Sequence, residues 1–149
     1  MSDDLNWRAL SVNRDKKYEH LVKKFASPEQ GKTKVFKNIK DFMVFAALVA
    51  YEADKYIPLK AEAKVSISLE TYANTEHDSY IYLLALTKSP NIDALKGESL
   101  ALSIKHFEAY CNAGLEIIDS WNVKHTYDDS GFEMLFDESF EHIASILDY

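Results

Sequence analysis

Glu108, Asn112, Glu116 and Asp119 recur at i, i+4, i+8 and i+11, a spacing that lines them up along one side of a helix. Carboxylates so aligned could hold a divalent cation or meet a basic partner surface, and a plain solvated helix face shows the same pattern. Glu138 and His142 stand one helical turn apart, the spacing of two metal ligands and equally of an ordinary surface pair. Glu76-His77-Asp78 offers a proton-transfer pair if it faces a cleft, and otherwise acids suited to a helix N-terminus. His106, beside Phe107, reads as the edge of a core before it reads as a base. Cys111 falls on an apolar helical stripe, where a thiol is an inert filler.

The second constellation is basic. Arg14, Lys16, Lys17, Lys23, Lys24, Lys32, Lys34, Lys37 and Lys40 interleave with Tyr18, Phe25 and Phe36, as in surfaces that touch nucleic-acid phosphates. The aromatic spacing is that of a core and not of base stacking. Arg8 and Arg14 are the only arginines, so the guanidinium fork that reads guanine or clamps phosphate is scarce. Contact with DNA would therefore be mostly to the backbone, salt-sensitive and poorly specific, and a solvated basic helix is the plainer reading. Arg14, Lys16, Lys17, Lys23, Lys24, Lys37 and Lys40 are the candidates for nucleic-acid contact, and Glu108, Asn112, Glu116 and Asp119 for an interaction stripe. The sequence carries no phosphate-cradling glycine loop and no HExxH, CxxC or EF-hand spacing. No catalytic residue, metal ligand or cofactor is assigned on these grounds.

These residues need elements to position them. Tyr18, Leu21, Val22 and Phe25 share one face of a helix over 14–25 whose other face is rich in lysine. Ser27-Pro28-Glu29-Gln30 has the form of a capping box that Gly31 stops within a turn. Asn38 would cap a helix over 39–53 whose segment FMVFAALVAY is apolar all round, which makes it the central helix. Tyr56-Ile57-Pro58-Leu59 ends it. Lys64 to Leu69 alternates with period two, the mark of a half-buried strand. Its partner would be Lys34–Phe36; otherwise the segment is an extended connection. Thr75 with Asp78 opens a helix that ends before Pro90. Ser99 to Trp121 is the longest helix, with Leu100, Ile104, Phe107, Cys111, Leu115 and Ile118 on one stripe. Ser130 with Glu133 forms a capping box for a last amphipathic helix bearing Phe132, Phe136, Phe140, Ile143 and Leu147.

A chain of 149 residues that is 47% hydrophobic is expected to be one mainly α domain of about five to six helices, with at most one small hairpin or extended segment. Residues 1–13 are expected as a loose lead-in with Trp7 and Leu10 as anchors, and 14–149 as the helical domain. The single cysteine excludes an internal disulfide, the N-terminal residues lack a signal-peptide layout, and the longest apolar run, Phe42 to Tyr51, is short of a membrane span, so a cytoplasmic protein is expected. The net charge of −7 hides a gradient. Residues 1–40 hold ten Lys/Arg and five Asp/Glu, whereas residues 108–149 hold ten acids against Lys124 alone.

His106 to Ile118, HFEAYCNAGLEII, resembles the FEEYANGGLEIL-type signature of the DNA phosphorothioation-associated (Dnd system-associated) protein 4 family. The order of segments is also similar: RDKKYEHLVKKF, VFKNIKDFMVFAALVAY, a proline-bearing turn, SISLETYAN, YIYLLAL and then the signature. The strongest positions are Phe36, Asp41, Phe45, Ala46, Ala47, Phe107, Glu108, Tyr110, Asn112, Gly114, Leu115 and Glu116. The resemblance covers about Arg14 to Ile118. Ala113 stands where the family pattern carries a second glycine, the Tyr56-Ile57-Pro58 turn lacks an arginine, and the acidic helix after Trp121 reads as an extension.

The resemblance implies a bacterial accessory protein encoded with systems that place sulfur in the DNA backbone and restrict unmodified DNA. It implies no reaction and no catalytic residues. Asn112, Gly114 and Glu116 are expected first to serve a close helix crossing at a small residue. The functional expectation is a non-enzymatic accessory protein of anti-phage defence that binds other proteins of the system, open to weak DNA-backbone contact, with oligomeric state unassigned. Two alternatives are an acidic inhibitory or DNA-mimicking protein acting through residues 108–149, and a metal-assisted hydrolase built on Glu108 and Glu116 with His77 or His106.

Overall fold

A computed structural model describes residues 7–28, 34–95, 99–126, 128 and 131–147. Among these residues the chain forms six α-helices and one two-stranded antiparallel sheet. In chain order they are β1 (Ser11–Asp15), α1 (Glu19–Ala26), α2 (Ile39–Glu52), β2 (Lys64–Ser68), α3 (Leu69–Ala73), α4 (Asp78–Lys88), α5 (Ser99–Lys124) and α6 (Phe132–Leu147), with short 3-10 turns at Trp7–Ala9, Lys16–Tyr18 and Ile92–Leu95. No helix among the described residues is long and apolar enough to cross a membrane.

The mainly α architecture agrees with the composition, and the sheet corrects two local expectations. Lys64–Ser68 is a strand, but its partner is Ser11–Asp15 and not Lys34–Phe36, in a register from Ser11 opposite Ser68 to Asp15 opposite Lys64. Residues 11–13 are therefore part of the sheet and not a loose lead-in. The first helix begins at Glu19 instead of Arg14, after a 3-10 turn capped by the Asp15 carboxylate, which accepts from the Lys17 N–H at 3.0 Å. The inward pair of β1 is Val12 and Arg14; an arginine in an inward position hides the period-two pattern from a hydrophobicity reading.

The helical patterns pack as their spacing demands. Tyr18, Leu21, Val22 and Phe25 are all buried, as is the α5 stripe from Leu100 to Ile118. α2 is the central helix: Phe42, Met43, Val44, Ala46, Ala47 and Ala50 are all buried. Its N-cap Asn38 is extended, and the Asn38 N–H donates to Asp41 Oδ2 at 3.0 Å. α2 and α5 cross at Gly114, where an added Cβ would stand 1.8 Å from the Ala46 carbonyl oxygen. Small residues at this crossing, Ala46 and Ala47 on one helix and Ala113 and Gly114 on the other, let the two backbones touch. The crossing is the close approach expected of Gly114.

α6 is docked differently from what its amphipathic pattern suggests. Met134 and Leu135 face the core, while Phe132, Phe136, Phe140 and Ile143 are exposed. The chain enters α6 through Gly131 at φ +76°, a left-handed conformation that favours glycine. The Gly131 and Met134 N–H groups both donate to the buried Asp128 carboxylate, at 3.1 and 2.8 Å. These bonds fix which face of α6 turns inward. Ser130, expected in the capping box, lies outside the described residues, as do Glu29 to Thr33, which include Glu29 and Gln30 of the earlier one.

Candidate functional site

The seven basic candidates divide by position. Lys16, Lys17, Lys23 and Lys37 are exposed. Lys24 is half-buried and donates to Asn122 Oδ1 on α5 at 2.6 Å. Arg14 is buried against Glu19, with Nε 2.7 Å from Oε1. Lys40 is buried at 9% exposure and donates to the Thr71 carbonyl at 3.0 Å. Arg14 and Lys40 are thus withdrawn from the outer surface, and Lys32 lies outside the described residues.

The acidic stripe on α5 is largely a seam within the fold. Glu108 is buried, and the Asn13 N–H of β1 donates to its Oε2 at 2.5 Å. Burial pushes the Glu108 carboxyl above the usual carboxylate range, and the Asn13 N–H only partly opposes this. Asn112 Nδ2 donates to the Ile57 carbonyl at 3.1 Å while the Ile57 N–H donates to Ala109 O at 3.3 Å, so the segment after α2 is pinned to α5. Asp119 meets His20 Nε2 at 2.8 Å. Glu116 alone of the four is exposed. The first quarter and the acidic stripe, far apart in sequence, therefore lie against each other.

His77, His106 and His125 hold structural partners, whereas the buried His142 Nε2 has no hydrogen-bond partner among the described residues. His77 Nε2 sits 2.5 Å from Asp41 Oδ1 and Nδ1 sits 2.7 Å from Thr75 Oγ1, which ties the start of α2 to the α3–α4 loop. That loop turns through Glu76 at φ +62°, and α4 starts at Asp78 with His77 as N-cap, so the Thr75 hydroxyl serves the histidine ring instead of capping the helix. His106 Nδ1 bonds the Tyr56 hydroxyl at 2.6 Å; burial, aided by the Lys88 ammonium, holds its imidazole below the usual range. Burial pushes the Cys111 thiol far up, and its Sγ donates to the Met43 carbonyl at 3.4 Å. Glu138 is bound by Lys124 at 2.9 Å and His125 at 3.0 Å, which joins α5 to α6. Among the described residues no group of three His, Cys, Asp or Glu side chains is placed to hold a metal ion. Glu108, His77 and His106, the residues a hydrolase would recruit, are each committed to a different neighbour.

What the sequence did not single out is the outer face of α6. Phe136, Phe140 and Ile143 are 64%, 63% and 55% exposed, and the two phenylalanine rings stack at 6.3 Å. Glu133, Asp137 and Glu141, also exposed, run beside them at i, i+4 and i+8. Large apolar side chains in one contiguous row on the outside of a helix make this face a candidate interaction surface. The spacing of these residues was legible, but their outward orientation depends on Gly131 and Asp128.

No curated protein and no solved structure matches the chain significantly. One family model does match, over residues 11–146. That span takes in β1 and nearly all of α6, so the acidic last helix lies within the family match and is not an extension. With its α2–α5 crossing at Gly114 and the signature helix from His106 to Ile118 inside this match, the chain belongs to the family of DNA sulphur modification system-associated protein 4.

Proposed function

We propose that this protein is a non-enzymatic accessory component of a bacterial DNA phosphorothioation-linked modification and restriction system in anti-phage defence. It acts in the cytoplasm by binding other proteins of that system. The observation that carries this reading is the exposed Phe136–Phe140–Ile143 row on α6 with its flanking acids. An amphipathic helix presenting anchors at i, i+4 and i+7 suits insertion into an apolar groove on a partner. Charged residues beside the row would steer and orient that docking. The family's description as system-associated supports an accessory role.

Weak DNA-backbone contact through the exposed Lys16, Lys17, Lys23 and Lys37 is a second part of this reading. Co-purification with the other proteins encoded beside it tests the first part. The double variant Phe136→Ser/Phe140→Ser is expected to keep its fold and lose the partner; full retention of the partner would sink the reading. Gel shifts with plain and modified duplexes at two salt concentrations test the second, since backbone contact weakens steeply as salt rises.

The row Glu133, Asp137 and Glu141 supports an alternative, an acidic inhibitor that occupies the DNA site of a basic enzyme. Unrelated duplex DNA would compete with such binding and would leave docking in an apolar groove intact.

A further inference from the structure

A hollow of about 420 Å³ opens between the start of α2, the end of α1 and the β2–α3 junction. Lys34, Lys37, Lys40, Asn38, Ser27 and Thr71 line it, with no acid among the described lining residues. This concentration of positive charge stands in a chain whose net charge is −7.

Lys40 is the unusual member. Its side chain is buried, yet its one hydrogen bond is to a neutral acceptor, the Thr71 carbonyl. Among the described residues no carboxylate pairs with Lys40, Lys34 or Lys37. An ammonium on a side chain this far withdrawn, with no carboxylate partner, would gain a counter-ion from an anion in the hollow. Lys34 Nζ donates to the Lys37 carbonyl at 3.3 Å, which folds its charge toward the same rim. The N-terminus of the 14-residue α2 opens at Asn38 on this wall; the Asp41 carboxylate already accepts from the Asn38 N–H there, so the lysines supply the free positive charge.

We infer that this hollow binds a phosphate-type anion, held by Lys34, Lys37 and the buried Lys40 at the start of α2. The inference deepens the backbone-contact part of the proposed function and moves its centre from the α1 lysines to the hollow. The charge suits a tetrahedral anion, whether a phosphodiester of the DNA backbone or a free phosphate group, and the hollow has room for the groups such an anion is attached to. Lysine ammonium groups with spare donors recognise either source through the same oxygens.

The test is an amide NMR titration of the full chain with inorganic phosphate at constant ionic strength, repeated with a short duplex. Phosphate is expected to move the resonances of Lys37 to Asp41 and of Thr71. Lys37→Glu and Lys34→Glu, at exposed positions, are expected to fold normally and weaken binding by about tenfold or more. Phosphate is also expected to raise the melting temperature of the wild type and not that of Lys40→Met; if Lys40→Met does not fold, the two exposed variants carry the comparison. A duplex that moves the same amides, and loses this effect in the variants, identifies the backbone as the source. Phosphate binding there without any duplex effect identifies a free phosphate group; the hollow then stands and the DNA-contact reading falls. Silence of these amides toward phosphate, or binding unchanged in Lys34→Glu and Lys37→Glu, overturns the inference, even where duplex DNA still binds through α1.

Discussion

Gly114→Ala tests the α2–α5 crossing directly. An alanine Cβ at this position would lie 1.8 Å from the Ala46 oxygen and 2.4 Å from its carbonyl carbon. Ordinary contact begins near 3.4 Å, so the helices must part by roughly 1.5 Å. The obstacle is backbone, and no side-chain rotation removes it. A gap of this size loosens the seam of Phe42, Met43, Ala47 and Ala50 against Phe107, Cys111 and Ile118, and a radial gap of about 0.5–1 Å already forfeits a quarter to a half of each dispersion contact. Alanine recovers about 1 kcal/mol through its helix propensity, against an overpacking cost at or above the usual ~3 kcal/mol ceiling. The net expectation is a loss of about 2 kcal/mol or more, which lowers Tm by at least about 4–8 °C in a domain of this size. Circular-dichroism melts and urea titrations would measure it, with the exposed Glu116→Ala as a control expected to stay within about 0.5 kcal/mol. A Gly114→Ala protein that melts at or above the wild-type temperature would refute the close crossing.

Two further outcomes follow from the buried polar groups and the entry to α6. Because burial raises the Glu108 carboxyl, the folded state holds that proton more tightly than the unfolded chain does. Its favourable contribution is present below the ordinary carboxylate value and is lost as pH rises through the raised one. Glu108→Gln keeps an acceptor for the Asn13 N–H and removes the charge, so its melting temperature at pH 7 is expected to equal or exceed the wild type, with the difference closing on acidification; a large loss at pH 7 would contradict the burial argument. Gly131→Ala forces a side chain into φ +76° and onto the Phe25 ring. It is expected to destabilise by about 2 kcal/mol or more and to speed proteolytic release of α6, whereas unchanged melting and proteolysis would show that Gly131 does not set the docking of this helix.

The family, the helical class, the central position of α2 and the buried stripes of α1 and α5 were legible in the sequence, because periodic apolar positions and a long signature report local geometry directly. The same logic identified the small residue at the α2–α5 crossing. β1 was not legible: its inward positions are Val12 and Arg14, and the arginine is accommodated only because Glu19 meets it. The polar candidates were found as types and misjudged as surfaces. Glu108, Asn112 and Asp119 do share one side of α5, but whether that side meets solvent depends on β1, α1 and the segment after α2 folding over it. In the same way, Phe136 and Phe140 read as the apolar side of an amphipathic helix. Only tertiary structure decides which side of α6 turns inward, through a left-handed glycine and one buried aspartate. Sequence fixes periodicity within an element because neighbouring residues set it. Exposure and the pairing of distant charges depend on segments about a hundred residues apart, as Asn13 with Glu108 and His20 with Asp119 show, and these only the packed fold decides.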